Sequence, residues 1–231
     1  MHAATDTLRT AAMRKPKDPK ANRARIIRAA RAEFAARGFK GASMDAIAAR
    51  THTTRALINY YFGSKEKVYL AVLEEAYAGI RQAEATLDIE HLEPVAAIRR
   101  IVSFTFEYYL ANPDFVRIVV AENQAKGVHF RKSTAMRSLN RPIIDTLAQV
   151  IERGRASGAF VRAVDPVQVH MAIAALGMFN MTNQYTFGAI FGQEMGNRGD
   201  TAARCRLIAD MVLAYLQNPG AALPDAAGAG R

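Results

Sequence analysis

The side chains best equipped for recognition chemistry in this sequence fall between Ser43 and Lys65. Arg55 carries a planar guanidinium that can give two parallel hydrogen bonds to the O6 and N7 of a guanine, and Asn59, one helical turn further on, can bond a base edge or a phosphate. Ser43 and Thr54 each precede a short apolar-periodic segment, so each hydroxyl can cap a helix whose free backbone N–H groups then face a phosphate. Two alternatives stay open at this level: Arg55 serves a base or else a phosphate or intradomain contact, and Leu57 packs on a thymine methyl or else in the core. Catalytic patterns are missing. His52, His129 and His170 stand far apart without metal-ligand spacing, and there is no phosphate-cradling glycine loop or nucleophile motif, so neither a cofactor nor a metal is expected.

The elements that must position these groups are helices. Ile26, Ile27, Ala30, Phe34 and Ala35 recur at steps of three and four from Asn22 onward, with arginines on the other sides, until Gly38 offers a helix stop. A short helix follows Ser43, with Asp45 in its first turn. A third, over about Arg55 to Tyr61, follows Thr54 and is too short to persist without packing against the other two. Ile58 and Phe62 share its inward side, leaving Arg55, Asn59 and Tyr60 outward or at its edges. Three short helices with a tight turn between the second and third make a helix-turn-helix. A long fourth helix from Ser64 to about Leu87 carries the stripe Val68, Tyr69, Val72, Leu73, Tyr77 and Ile80 and links the basic unit to the rest. Further helical patterns follow, from Pro94, from Asp114, through Pro142, from Asp165-Pro166 to Phe191, and from Ala202 to Leu216. The fold expected is all-α, with about nine helices. Its boundaries run as a basic arm over 1–20, a helix-turn-helix domain over 21–66, a helical effector-binding and dimerisation domain over 67–217 and a tail over 218–231.

Charge agrees with that division. Residues 1–65 hold 14 Lys or Arg against 4 Asp or Glu, and the remainder holds 17 of each sign, so the whole net charge of +10 sits in the first quarter. A polyanion-binding unit joined to an electrically balanced partner is the reading that follows. Half the residues are apolar, which predicts an ordered core. A single cysteine, Cys205, excludes a disulfide framework and suits a reducing compartment. With no secretory pattern and no apolar stretch of membrane-spanning length, a soluble, cytoplasmic and nucleoid-associated protein is expected, with no membrane partner.

The segment SMDAIAARTHTTRALINYYFGSKEKVYLAVLEEA, with the preceding AEFAARGFKGA, resembles the TetR family of bacterial transcriptional regulators over roughly residues 22–75. The resemblance rests on an ordered combination: ARGF, a Ser-capped short helix containing IA, a short helix ending INYYF, then GSKEKVY. It implies an all-helical homodimer whose first three helices read an operator in double-stranded DNA and whose remainder binds a small-molecule effector. It also implies that Tyr60, Tyr61 and Lys65 lie near the sugar-phosphate backbone and Met44 near the groove. EYYLANPDFVRIVVAEN loosely resembles the carboxy-terminal domains of regulators that respond to pyrimidines or other small nitrogenous metabolites. One departure stands out: the turn between the second and third helices commonly has Gly and then an apolar residue, whereas His52-Thr53 occupy it here. Histidine enters the left-handed region less readily than glycine, so this turn is expected to be slightly strained.

In the second domain, small and bulky residues alternate along the last two long helices. Ala172, Ala175, Leu176 and Phe179, with Ile208, Met211, Val212 and Tyr215, form an expected dimer surface; a purely intramolecular core is the other account. Asn180, Asn183, Gln184 and Tyr185 lie in an otherwise apolar segment, and Tyr109, Glu122 and Asn123 can meet them from earlier helices. Because an unpaired buried amide is costly, this set is expected to line a ligand site or form a polar dimer network. The function expected is a sequence-specific, ligand-responsive repressor binding a near-palindrome as a homodimer. An architectural protein binding DNA without sequence preference is the first alternative, and a helical enzyme the second.

Overall fold

The computed structural model describes residues 18–192 and 198–220. Within them lie nine α-helices, one 3-10 turn and no strand. The helices are α1 (Pro19–Gly41), α2 (Met44–Arg50), α3 (Arg55–Phe62), α4 (Lys65–Glu84), α5 (Pro94–Ala111), α6 (Pro113–Gln124), α7 (Met136–Ala156), α8 (Pro166–Phe191) and α9 (Arg198–Gln217); the 3-10 turn is Phe130–Lys132. Most of the basic arm expected over 1–20, and the tail from residue 221, lie outside the described residues.

Local chemistry explains where the first helices begin and end. α1 starts earlier than its apolar stripe, because the Asp18 carboxylate accepts from the Ala21 N–H at 3.0 Å and Pro19 takes a first-turn position, where its missing N–H costs nothing. It breaks at Gly38, with φ 64° and ψ 178°. One further turn folds Phe39 back against Phe34 and Tyr69, with ring centroids 6.3 and 5.2 Å apart. Ser43 caps α2 by accepting from Asp45 and Ala46, Thr54 caps α3 by accepting from Leu57 at 3.1 Å, and Ser64 caps α4 by accepting from Lys67 at 3.3 Å. Each such cap contributes about 1 kcal/mol. Caps alone do not hold helices of 7 and 8 residues; the buried pair Ile58 and Phe62 anchors α3 in the core it shares with α2 and α4. In the turn before it, His52 adopts φ 48°, a left-handed conformation that glycine would take at less cost.

α4 passes through three environments along about 30 Å. Val68, Tyr69, Val72 and Leu73 pack in the core of the first three helices, and Ala76 and Ile80 join Tyr109, Phe115 and Val119 of α5 and α6. At its end, Arg81 and Glu84 line a cavity. α1 also packs directly on α6. The main core of the second half is built from α5, α7, α8 and α9 around Ile98, Phe106, Leu147, Phe160, Ile173 and Leu216.

A buried carboxylate fastens the two halves together. Glu122, near the end of α6, accepts from the backbone N–H of His129 at 2.7 Å and of Phe130 at 3.0 Å, and its other oxygen lies 2.8 Å from His129 Nδ1. This holds the His129 ring between Phe39 of α1 and Tyr69 of α4, at 4.4 and 4.8 Å. Glu122 was expected to enter a ligand cavity; its polar capacity is instead taken up by this turn.

Candidate nucleic-acid interface

Ser43, Met44, Asp45, Arg55, Asn59, Ser64 and Lys65 surround one groove of about 480 Å³ at the outer side of α2 and α3. The amino ends of both helices open on it, so their uncommitted N–H groups and the partial positive charge of the helix ends face the same space. Arg55 stands on the first turn of α3 with 61% of its side chain exposed and its Nη1 3.6 Å from an Asp45 oxygen. A solvent-exposed pair of that kind is weak, so the guanidinium is available to a stronger acceptor. Tyr60 is 70% exposed and meets Tyr61 edge-on at 5.6 Å, while the Tyr61 ring is half-buried. Asn59 is exposed and Leu57 half-buried.

Two residues carry more structural duty than their place in the motif implied. Met44 is buried in the core of the first three helices, with only its edge on the groove. Lys65 donates to the Lys40 carbonyl at 3.3 Å and lies over the Phe39 ring at 5.1 Å, which ties the start of α4 to the end of α1.

The residues set apart for a ligand do not converge. Asn183 and Gln184 donate to the Phe179 and Met181 carbonyls of their own helix, Asn123 likewise to Val119, and Tyr185 is 76% exposed. Asn180 is buried on α8, and Tyr109 stacks on Phe115 with its ring against Gly177. A cavity of about 970 Å³ lies elsewhere, between the end of α4, residues 85–90, α5 and α7, and none of those seven residues lines it. The expected dimer surface also divides. Ile208 and Val212 are buried in the chain's own core, and Leu176 packs against it, because α9 turns that side towards α5. Ala172, Ala175, Phe179, Met211 and Tyr215 face outward, together with Val167, Met171 and Leu207, at successive turns of α8 and α9.

Residues that sequence reasoning missed sit at the cavity. Arg81 and Glu84 keep only 10% and 8% of their side chains exposed, with Arg81 Nη1 2.8 Å from Glu84 Oε2. The contact is close but misaligned: Arg81 Nη1 and Nε and Glu84 Oε1 are buried without a hydrogen-bond partner. Burial pushes the Glu84 carboxyl up to about 7 against the opposing pull of Arg81, and burial together with Arg81 pushes the His170 imidazole down to about 4.

These shifts act on stability in opposite directions. Between pH 4.5 and about 7 the folded chain holds a proton on Glu84 that the unfolded chain has released, so this group makes stability fall as pH rises. Between about pH 4 and 6.5 the unfolded chain holds a proton on His170 that the folded chain refuses, so that group makes stability rise. Each is worth up to about 3 kcal/mol over its window, and they largely cancel. Glu84→Gln is therefore expected to show stability climbing from pH 4 to 6.5 in urea titrations, and His170→Gln to show it falling from pH 4.5 to 7. A Glu84→Gln profile that tracks the wild type would remove this account.

Among the described residues there is no cluster of three metal-ligating side chains, and no helix is long and apolar enough to cross a membrane. Residues 26–72 match the family model described as bacterial regulatory proteins, tetR family, and residues 94–212 match that of the tetracyclin repressor-like C-terminal domain. The chain is 34% identical over 192 residues to the HTH-type transcriptional repressor NicS of Pseudomonas putida, covering 83% of this chain and 91% of that protein. It is 34% identical over 113 residues to the HTH-type transcriptional repressor SCO4008 of Streptomyces coelicolor, covering 48% of this chain and 54% of that one. Among solved structures, the transcriptional regulator SCO4942 of Streptomyces coelicolor superposes with a TM-score of 0.63 at 26% identity, over 86% of this chain and 99% of the other.

Proposed function

The chain belongs to the TetR family of bacterial regulatory proteins, and on that premise we propose that it is a homodimeric repressor that reads a near-palindromic operator with α3 and releases it when a small effector occupies the second domain. The observation that carries the reading is the convergence of Ser43, Arg55, Asn59 and the amino ends of α2 and α3 on one groove, in the quarter of the chain that holds all the net positive charge. Arg55 reads a guanine; Tyr60, Asn59 and the capping hydroxyls of Ser43 and Thr54 grip the phosphates; Leu57 meets a thymine methyl at the groove edge. Relatives named as transcriptional repressors support repression over activation.

One α3 buries too little to bind alone, and two-fold symmetry doubles it over half-sites a helical turn or a multiple apart. The outward stripes Val167, Met171, Ala175 and Phe179 on α8, and Leu207, Met211 and Tyr215 on α9, form the dimer surface. Apart from the small Ala175 they are large exposed apolar residues, spaced at single helical turns on two helices that pack side by side. α4 carries the effector's influence, since its two ends serve the groove and the cavity. An effector acts only so far as it binds the DNA-incompatible arrangement better than the DNA-bound one.

The test is the variant Phe179→Glu/Met211→Glu, which places carboxylates on both stripes and leaves the α1–α3 surface untouched. Sedimentation is expected to show a folded monomer whose operator affinity has fallen by about a hundredfold or more, because the half-sites are no longer linked. A variant that stays dimeric would remove this interface, and a monomer binding as tightly as the wild type would remove the dimeric reading.

A further inference from the structure

The Arg81–Glu84 pair stands in a place where charge is expensive and is left incompletely satisfied. A buried ion pair offsets its desolvation only when good geometry and additional hydrogen bonds use the remaining donors and acceptors. Here the guanidinium keeps two N–H-bearing nitrogens, and the carboxyl one oxygen, buried without partners. Both side chains line the cavity of about 970 Å³, whose other walls include Leu87, Ile101, Ile143 and Val150. A buried charged pair beside an apolar wall, short of an acceptor on one member and of a donor on the other, describes a ligand by its complement.

We propose that this cavity is the effector site and that it takes a compact organic acid carrying a hydroxyl or ring N–H beside its acid group, the acid on Arg81, the donor on Glu84 Oε1 and the body against Ile101, Ile143 and Val150. The other guanidinium at the cavity, Arg153, is already committed to the backbone carbonyls of Ile89 and Glu90. The further titratable groups close enough to act on Arg81 are Tyr77, Tyr108 and Tyr109, whose hydroxyls burial keeps neutral, and His170, which burial and Arg81 itself keep neutral at pH 7. With Glu84 raised by burial towards neutrality, the buried cluster carries more positive than negative charge near pH 7. Asp88, Glu90 and Glu152 also line the cavity, but their side chains stand in solvent, where water screens them, so the buried cluster decides and favours an anion over a cation of the same shape. The location also bears on the response: Arg81 and Glu84 belong to α4, so recruiting them realigns the carboxy-terminal turn of the helix whose amino end borders the DNA groove.

The naming of the occupant as an effector rests on the ligand-responsive reading above; the binding site itself does not. The experiment is calorimetric titration of the full chain, without DNA, using 3-hydroxybenzoate, benzoate, 3-methylphenol and benzylamine as probes. 3-Hydroxybenzoate is expected to bind with a dissociation constant of about 1 mM or tighter, about tenfold better than 3-methylphenol, with benzoate between them and benzylamine without detectable binding. Removing one member of the pair would strand the other charge, so the variant is Arg81→Met/Glu84→Met, which replaces both with apolar side chains of similar length. It is expected to melt cooperatively, to lose 3-hydroxybenzoate binding by about tenfold or more and to prefer 3-methylphenol.

Absence of 3-hydroxybenzoate binding up to about 10 mM, or equal binding by the double variant, overturns the site. If the variant does not fold, the Arg81 Nε–H resonance of the wild type is followed during the same titration: a saturable shift supports the site and an unmoved signal overturns it. Operator binding, measured separately, stands or falls independently of these results. A probe that saturates the site without weakening operator binding overturns its assignment to the effector while leaving the DNA-binding reading intact.

Discussion

Arg55→Ala is expected to weaken operator binding by between about thirtyfold and twenty thousandfold, and to do so chiefly on the correct sequence. A bidentate arginine–guanine contact discriminates by about 1–3 kcal/mol, and the proposed two-fold dimer would make it twice, so a loss of about 2–6 kcal/mol is expected. The side chain stands on the first turn of α3, exposed, with Asp45 as its only ion-pair partner among the described residues, so its removal leaves no buried charge and no cavity. The fold should therefore be unchanged. Affinity for unrelated DNA should fall much less, because one phosphate-neutralising charge per protomer contributes only about one unit to the salt slope. Arg55→Lys restores the charge but not the planar pair of donors, and is expected to recover binding to unrelated DNA while leaving the operator preference impaired. Fluorescence anisotropy on the operator and on a scrambled duplex measures both quantities. An equal loss on the two would show that Arg55 holds a phosphate and that the base reading is made by another residue.

The second large effect is one of packing. A methyl group added at Gly154 would lie 2.0 Å from Phe160 Cδ2 and 2.4 Å from Cε2. Phe160 is 2% exposed, and its N–H bonds the Gly154 carbonyl at 2.9 Å, so ring and helix are fastened at the very point of contact. The ring cannot slide aside without leaving the core formed by α5, α7, α8 and α9. Overpacking of this kind costs about 1–3 kcal/mol when neighbours yield, and expulsion of a phenylalanine costs about 3–5. Gly154→Ala is expected to lose about 3–5 kcal/mol, seen as a fall of roughly 10 °C in the melting temperature. In Phe160→Ala the clash is gone, so adding Gly154→Ala to it should cost almost nothing further. A loss below about 1 kcal/mol for Gly154→Ala alone would show that the helix and the ring separate easily.

What could be read in the sequence was what local physics controls. Capping is decided within three residues, so Ser43, Thr54 and Ser64 marked the starts of α2, α3 and α4, and Gly38 marked the break in α1. The inward pair Ile58 and Phe62 and the outward Arg55 and Asn59 follow from the helical period once α3 is placed. The early start of α1 was also local: Asp18-Pro19 is a cap followed by a first-turn proline, masked by the lack of apolar residues around it.

Tertiary partners were less legible. Glu122 looked like a polar intruder in an apolar helix, and nothing in its neighbours signalled that the chain would return after α6 to supply two N–H groups and an imidazole. Ile208 and Val212 share their helix with Met211 and Tyr215, and the alternation of small and bulky residues does not say which side meets α5 and which is left outward. One signal was present and unused. The α4 stripe of Leu73, Tyr77 and Ile80 continues at steps of four onto Arg81 and Glu84, which places two opposite charges on the buried side of the helix. A charged pair in phase with an apolar stripe points to a buried polar site more directly than amides scattered along α8, whose side chains bond their own helix.

Sequence-specific binding by the α2–α3 face is decided by selecting genomic fragments with the purified protein at moderate salt and then measuring binding to single-mismatch versions of the recovered site. A recurring near-palindrome is expected, with a penalty of about 1–3 kcal/mol per changed base pair at the contacted positions and both lost in Arg55→Ala. Recovery of unrelated fragments bound with equal affinity, with mismatches carrying no penalty, would contradict it and leave an architectural DNA-binding protein in its place.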